Sequence, residues 1–348
     1  MNPAKRLVYG AARALGLFAL ARHLTRHRVR ILCFHGGSLG DEHRFNPLLF
    51  CTGEHLARRL AWMDAHGFSW VSLDSATDML KGAAARPRLP VVLTFDDGWY
   101  STAQVLGPVV ARHQVPAVLY LCTSHFQRGE PVPDVSMAYL VWQAGARVVH
   151  LDGVDPALDG RYDLADPPSR KDFLARAIRW VREAGAGDVS ARLDLLAGAL
   201  GQSPRSLDLA SRRFSYLDGH ELQALRAQGW SIELHGHEHR YPAGDPAALA
   251  QDLQRCQAVF ASQSLPPGRH YCYPSGNHDA AAHELMTQHG VETATTCLPG
   301  LCPEGDARAL HYLPRFLDGA NIPPLVFEAE MSGFADGVRW LARLGRRG

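Results

Sequence analysis

From Arg30 onward, short β-rich runs alternate with helical ones, and this alternation commits the chain to an α/β fold with parallel strands. The runs are Ile31–Phe34, Trp70–Leu73, Val91–Phe95, Ala117–Leu121, Ser231–Leu234, His270–Tyr273 and Val291–Thr295. About seven such strands favour closure into a barrel. An open doubly wound sheet is the alternative, because strand order cannot be read from one sequence. Between the strands lie helical patterns such as Ser101–His113, with its apolar stripe of Val105, Leu106, Val109 and Val110, and Asp218–Gln228, opened by the pair Asp218 and Glu221. Residues 123–213 break the alternation with a Pro- and Asp-rich stretch and two further helical patterns. Ser169 with Asp172 is expected to cap the first, lined by Phe173, Ala177, Ile178 and Val181; Leu193, Leu196 and Leu200 line the second. This segment reads as a helical insertion without a chemical constellation of its own, so a lid or substrate contact is its functional option.

Charge narrows the function classes. The chain has 348 residues with 36 basic against 35 acidic side chains, a balance that gives no general affinity for nucleic acid. The charge is unevenly placed: residues 1–30 hold seven Lys/Arg and no carboxylate, and residues 331–348 hold four Arg against Asp336. Basic ends on an acidic body suit attachment to an anionic surface. Leu7, Ala11, Ala14, Phe18 and Ala21 recur at helical spacing among Arg6, Arg13, Arg22 and Arg26, as in a helix lying on a membrane; docking on its own domain is the other destination. Arg13 sits where a secretory core would be uncharged, and the run falls short of the ~20 apolar residues of a spanning helix. Seven cysteines without a CxxC pair fit a reducing compartment. The expectation is a cytoplasmic protein, peripheral on the inner membrane face through its basic termini, with a helix over 1–30, a body over 31–320 and a basic tail over 321–348.

Two clusters carry chemistry. Val91-Val92-Leu93-Thr94-Phe95-Asp96-Asp97-Gly98 puts adjacent carboxylates at the end of a buried strand, where ligands gather in α/β folds. A buried charge is costly without a partner, so a metal or a catalytic role accounts for the pair; capping of the next helix would account for one carboxylate only. Glu233-Leu234-His235-Gly236-His237-Glu238-His239 also follows a strand. On a helical turn His235 and His239 share a face; on an extended chain His237 joins them, and neutral imidazoles suit divalent transition metals. An HExxH zinc site is excluded, because Tyr241 stands where the second His is required.

Taken together, these runs resemble the NodB-homology polysaccharide deacetylases, carbohydrate esterase family four, over roughly Ile31 to Phe316 apart from the insertion. The resemblance implies a distorted (β/α) barrel, with Asp96 as catalytic base, and Asp97, His235 and His239 as ligands of a divalent ion. Zn is the default, and Co, Ni or Mn suit the same ligands. It also places His35, in Ile31-Leu32-Cys33-Phe34-His35-Gly36, near the site. The third family motif survives in part as Tyr271-Cys272-Tyr273-Pro274-Ser275-Gly276. Its Pro274-x-Gly276 turn lies on the substrate side and is expected to aim the Tyr273 backbone amide at a developing oxyanion. Cys272 stands where many members have the Arg that braces the base. The missing brace is assigned to Arg315, in Leu313-Pro314-Arg315-Phe316, with an Arg315–Asp318 surface pair as the alternative and Arg269 as the substitute brace. The late motif that supplies a general acid is not recognisable, which leaves His35, His237 and His311 as candidates. The implied reaction removes an N-acetyl group from an amino sugar of an envelope polysaccharide or lipid-linked glycan precursor, releasing acetate. The rivals are removal of an O-acetyl or N-formyl group at the same centre, or a metal-bearing glycan-binding protein without turnover.

Overall fold

A computed structural model describes residues 3–185 and 187–344, so Arg346 and Arg347 of the expected basic tail lie outside the described residues. The chain forms two compact units: one of residues 1–98, 102–124 and 219–348, the other of residues 99–101 and 125–218.

The larger unit holds eight strands in one sheet: β1 (Arg30–Phe34), β2 (Ser69–Trp70), β3 (Pro90–Asp97), β4 (Ala117–Leu121), β5 (Ser231–Leu234), β6 (His270–Cys272), β7 (Thr293–Thr295) and β8 (Phe316–Leu317). The order is β7-β6-β5-β4-β3-β1-β8, with β2 paired to the start of β3. Every pairing in this sheet is parallel. Leu313 bridges Thr295 while Phe316 and Leu317 pair with β1, so one short segment touches both edges and the sheet curls into a distorted (β/α) barrel. All eight residues of β3 are buried, as befits a strand covered on both faces. Strand alternation puts Asp96 on the face of Val92 and Thr94 and would send Asp97 to the other; a left-handed backbone at Asp97 (φ 76°) ends the strand there.

The expected strand Trp70–Leu73 is shorter. Ser72 caps a helix over Leu73–Leu80, its hydroxyl accepting from the Ser75 amide at 3.1 Å, which takes Leu73 out of the sheet. The eighth strand has two residues, too few for a periodicity to show. The helix expected over Ser101–His113 opens with a π-turn at Thr102–Leu106 before Gly107–His113.

The smaller unit packs helices Pro133–Ala144, Pro167–Arg182 and Val189–Ala199 with an antiparallel hairpin, Val148–Leu151 and Gly160–Asp163. Phe173, Ala177 and Val181 are buried as expected, but Trp180 completes the stripe in place of the half-buried Ile178. The cap is Asp166, which accepts from the Ser169 amide, while the Ser169 hydroxyl accepts from the Asp163 amide.

The N-terminal segment is two helices, α1 (Pro3–Ala14) and α2 (Leu17–Leu24), separated at Gly16, whose φ of 74° suits a residue without Cβ. Helix α3 (Pro246–Ser262) lies beside the His-rich loop in sequence, and α4 (Pro324–Met331) and α5 (Phe334–Leu344) close the described chain. Tyr9, Ala12 and Phe18 are buried against Ala329 and Ala335, with Leu325 and Phe334 alongside. Of the expected stripe Phe18 docks, while Leu7, Ala11 and Ala14 stay exposed, because the break at Gly16 turns the two halves differently. Among the described residues no helix is long and apolar enough to cross a membrane.

Candidate active site

The carboxyl ends of β1, β3, β5, β6 and β8 converge on a cavity of about 250 Å³ whose lining includes His35, Asp96, Asp97, His235 and His239. Asp97 and the two imidazoles present donor atoms within 4.8 Å of one another. Asp97 Oδ1 lies 3.3 Å from His235 Nε2 and 3.1 Å from His239 Nε2.

The loop after β5 explains why these two histidines converge. Gly236 has φ 74°, a left-handed backbone that a side chain would strain, so the turn favours glycine; a Cβ there would only touch Asp252, Pro274 and Tyr271 at 3.4 Å. His239 sits at φ 50°, a left-handed backbone that brings its ring back toward Asp97. His235 Nδ1 lies 2.8 Å from the Cys272 carbonyl, which accepts the ring proton and leaves the Nε2 lone pair facing Asp97. His237 points elsewhere: its Nδ1 is 2.9 Å from the Thr123 hydroxyl, and its amide donates to Asp252 Oδ1 at 2.9 Å. Of the two conformations weighed from sequence, the loop adopts neither a regular helix nor a strand, yet pairs His235 with His239.

Arg315 is fully buried and holds Asp96 in a two-pronged grip, Nη1 donating to Oδ1 at 2.7 Å and Nη2 to Oδ2 at 2.8 Å. Arg315 Nε donates to the Thr296 carbonyl at 3.0 Å, which fixes the plane of the guanidinium. Nη2 also lies 3.0 Å from Cys272 Sγ, so the guanidinium of Arg315, the residue just before β8, fills the space beside Cys272. Burial alone would raise the Asp96 pKa; the Arg315 charge and hydrogen bonds outweigh it and hold the carboxylate well below its ordinary range. The alternatives for this arginine fall away, since Asp318 is held by Arg59 at 2.7 Å, and Arg269 pairs with Glu292 and Asp74.

Three sequence assignments need correction. The Tyr273 amide donates to the Thr295 carbonyl at 3.1 Å and is spent on the sheet, and the Tyr273 ring is buried among Tyr241, Tyr271 and Tyr312, so this residue offers the oxyanion nothing. Pro274 and Gly276 shape the turn, but Ser275, at φ 56°, is the residue of that turn that lines the cavity. Gly276 is needed for packing: a Cβ would lie 2.9 Å from that of Cys297. Among the three proposed acids only His35 lines the cavity, its Nε2 3.8 Å from Asp96 Oδ2 and its pKa lowered by burial. His311 is turned away, bonded to the Val291 carbonyl and to His283. Asn46, Leu48 and Leu49, which complete one wall, carry no sequence signal, and nor does Asp252.

Residues 201–294 match the family described as polysaccharide deacetylase. No curated protein matches the chain in sequence. Solved structures of similar fold include the Streptococcus pyogenes deacetylase PplD in complex with acetate, at 14% identity and TM-score 0.57, covering 88% of this chain and 99% of that one. IcaB from Ammonifex degensii is similar at 16% identity and TM-score 0.55, over 88% and 97% of the two chains. A de-N-acetylase from Aggregatibacter actinomycetemcomitans gives 15% and 0.54, over 86% and 98%. The resemblance read from the motifs therefore extends to the family match and to the barrel.

Proposed function

We propose that the chain is a metal-dependent deacetylase that removes the N-acetyl group from an amino sugar of a glycan. The observation that carries this reading is the Asp96–Arg315 pair set beside Asp97, His235 and His239 in one cavity. A binding protein has use for the ligand set, but not for a second buried carboxylate held ionised next to it. The donors fit a divalent ion: one carboxylate, two imidazoles, and a His235 ring oriented from behind by the Cys272 carbonyl. Zn suits this set by default, as do Co, Ni and Mn. When bound, such an ion acidifies water and polarises the acetamide carbonyl.

The chain's own residues handle the protons. Asp96, kept ionised by Arg315, accepts the proton released as water attacks. His35 faces the same Oδ2 and, being neutral at rest, can carry that proton to the departing nitrogen. Acetate and a free amine result. An envelope polysaccharide or a lipid-linked precursor is the substrate class we favour, in line with solved structures of similar fold described as deacetylases. The test is a panel of N-acetylated, N-formylated and O-acetylated saccharides given to metal-loaded protein, with the released acid identified. Acetate from the N-acetylated sugars is expected. Formate, or acetate from the O-acetylated sugars only, assigns the centre to one of the rival hydrolyses, and no acid from protein with full metal content refutes catalysis.

A further inference from the structure

Among the described residues, the terminal helices leave an apolar face that the rest of the unit does not cover. Leu17, Leu20 and Leu24 of α2 recur along one side of that helix, and Phe334, Val338 and Leu341 do so along α5. Between them runs an open groove of about 350 Å³. The apolar groups stand far out of the surface: Leu20 is 53% exposed, Leu24 70%, Trp340 59% and Leu341 62%. Four such side chains on two adjacent helices exceed the scattered leucines of an ordinary surface.

Charge indicates what covers this face. Every carboxylate of α4 and α5 is taken by an arginine: Glu328 by Arg13, and Glu330 and Asp336 by Arg339. Lys5, Arg6, Arg26 and Arg343 have no carboxylate partner among the described residues. The apolar groove is thus bordered by helices with an excess of positive charge. A second copy of the chain seated on it would set these cations against their own images. A surface of anionic lipid neutralises them and receives the leucines and the indole at the same time.

We propose that α2 and α5 form one docking surface for an anionic lipid bilayer, with Leu20, Leu24, Trp340 and Leu341 entering the headgroup–acyl boundary and the flanking basic side chains meeting the headgroups. The two ends of the chain act as a single anchor, because Tyr9, Ala12 and Phe18 pin the N-terminal helices to Ala329 and Ala335. This goes beyond catalysis and does not depend on it, since binding is measured without turnover.

The experiment is co-sedimentation of the full chain with vesicles of phosphatidylcholine alone and of phosphatidylcholine with phosphatidylglycerol, at low and high salt. Binding is expected with the anionic vesicles, weakened by salt. Leu24→Gln with Trp340→Gln should lower the partition coefficient by about a hundredfold through lost apolar insertion. Lys5→Gln, Arg6→Gln and Arg343→Gln together should lower it by up to about a hundredfold, at roughly fivefold per charge. All five positions are exposed, so both variants should melt at the parent temperature. Equal binding to neutral and anionic vesicles, or variants that bind like the parent, would overturn the proposal. So would a protein that ignores vesicles and dimerises in solution through contacts that the Leu24→Gln/Trp340→Gln variant abolishes.

Discussion

Replacing Arg315 with Met tests the site at its most specific point. The substitution keeps an unbranched apolar stem and deletes a guanidinium that makes two hydrogen bonds, of 2.7 and 2.8 Å, to a carboxylate itself only 2% exposed. Removing one member of a buried ion pair costs roughly 3–5 kcal/mol because the other charge is left uncompensated. Asp96 Oδ2 then keeps the Cys272 thiol at 3.5 Å, a weak donor, and the His35 ring at 3.8 Å. Without Arg315, burial is free to raise the pKa of the base, and the opposite-charge effect now lost is about 1–3 pH units. The acidic limb of the pH–rate profile should therefore move upward by about that amount, with metal content unchanged. The sign for stability follows. In the parent the depressed pKa stabilises the fold above the ordinary carboxylate range, an effect that fades only as pH falls below that range toward the depressed value; in the variant a raised pKa penalises the fold at neutral pH and is relieved in acid. The melting gap between the two metal-free proteins should be widest near neutrality and close as pH is lowered. Arg315→Lys should recover part of the charge effect but not the two-pronged geometry. A pH–rate profile that stays in place, together with a gap that does not narrow in acid, would refute the argument.

Asp96→Asn should keep its metal and lose turnover by about 10²–10⁴-fold, whereas Asp97→Ala, His235→Ala and His239→Ala should lose metal and activity together, as elemental analysis beside the acetate assay will show. His35→Ala should lower kcat with little change in KM or metal content; a drop confined to KM would make His35 a substrate contact instead of a proton carrier. Asp252→Ala frees the amide of His237 and should weaken metal affinity by about 10–100-fold in a competition titration with a chelator, with barrel stability nearly unchanged.

The parts of this architecture legible in the sequence are those where one local pattern forces one outcome. A run as apolar as Val91–Phe95 can only be a strand buried on both faces, and two carboxylates at its end require partners. Arg315 was reached by another route: the family resemblance implies an arginine brace, Cys272 stands in its usual place, and the Leu-Pro-Arg segment falls at the expected end of the last strand; the structure sets Arg315 and Asp96 2.7 Å apart. What escaped depends on pairing between distant segments. Whether the Tyr273 amide is available is decided by Thr295 on the neighbouring strand, and no property of the Tyr-Pro-Ser-Gly turn reveals it. Asp252 sits in an ordinary amphipathic helix, and only the folded loop shows that it receives the His237 amide. In the N-terminal segment the helical periodicity was real, but Gly16 resets its phase, so a stripe drawn through the break joined residues of two different faces.

Asp96 and its counter-ion Arg315 are 219 residues apart in the chain, and the counter-ion arrives on the segment that also joins the barrel's two edges. On the ribosome, Asp96, Asp97, His235 and His239 are therefore made well before Arg315. Until residues 313–317 emerge, an ionised Asp96 packed into the interior would lack its compensating charge, so the nascent β3 gains little by burying its carboxyl end. The last strand is placed to work as a latch, since the segment that completes the wall also brings Asp96 its counter-ion. An incomplete chain would in this way be less stable, and under the proposed function hydrolysis would wait until synthesis has passed the final strand.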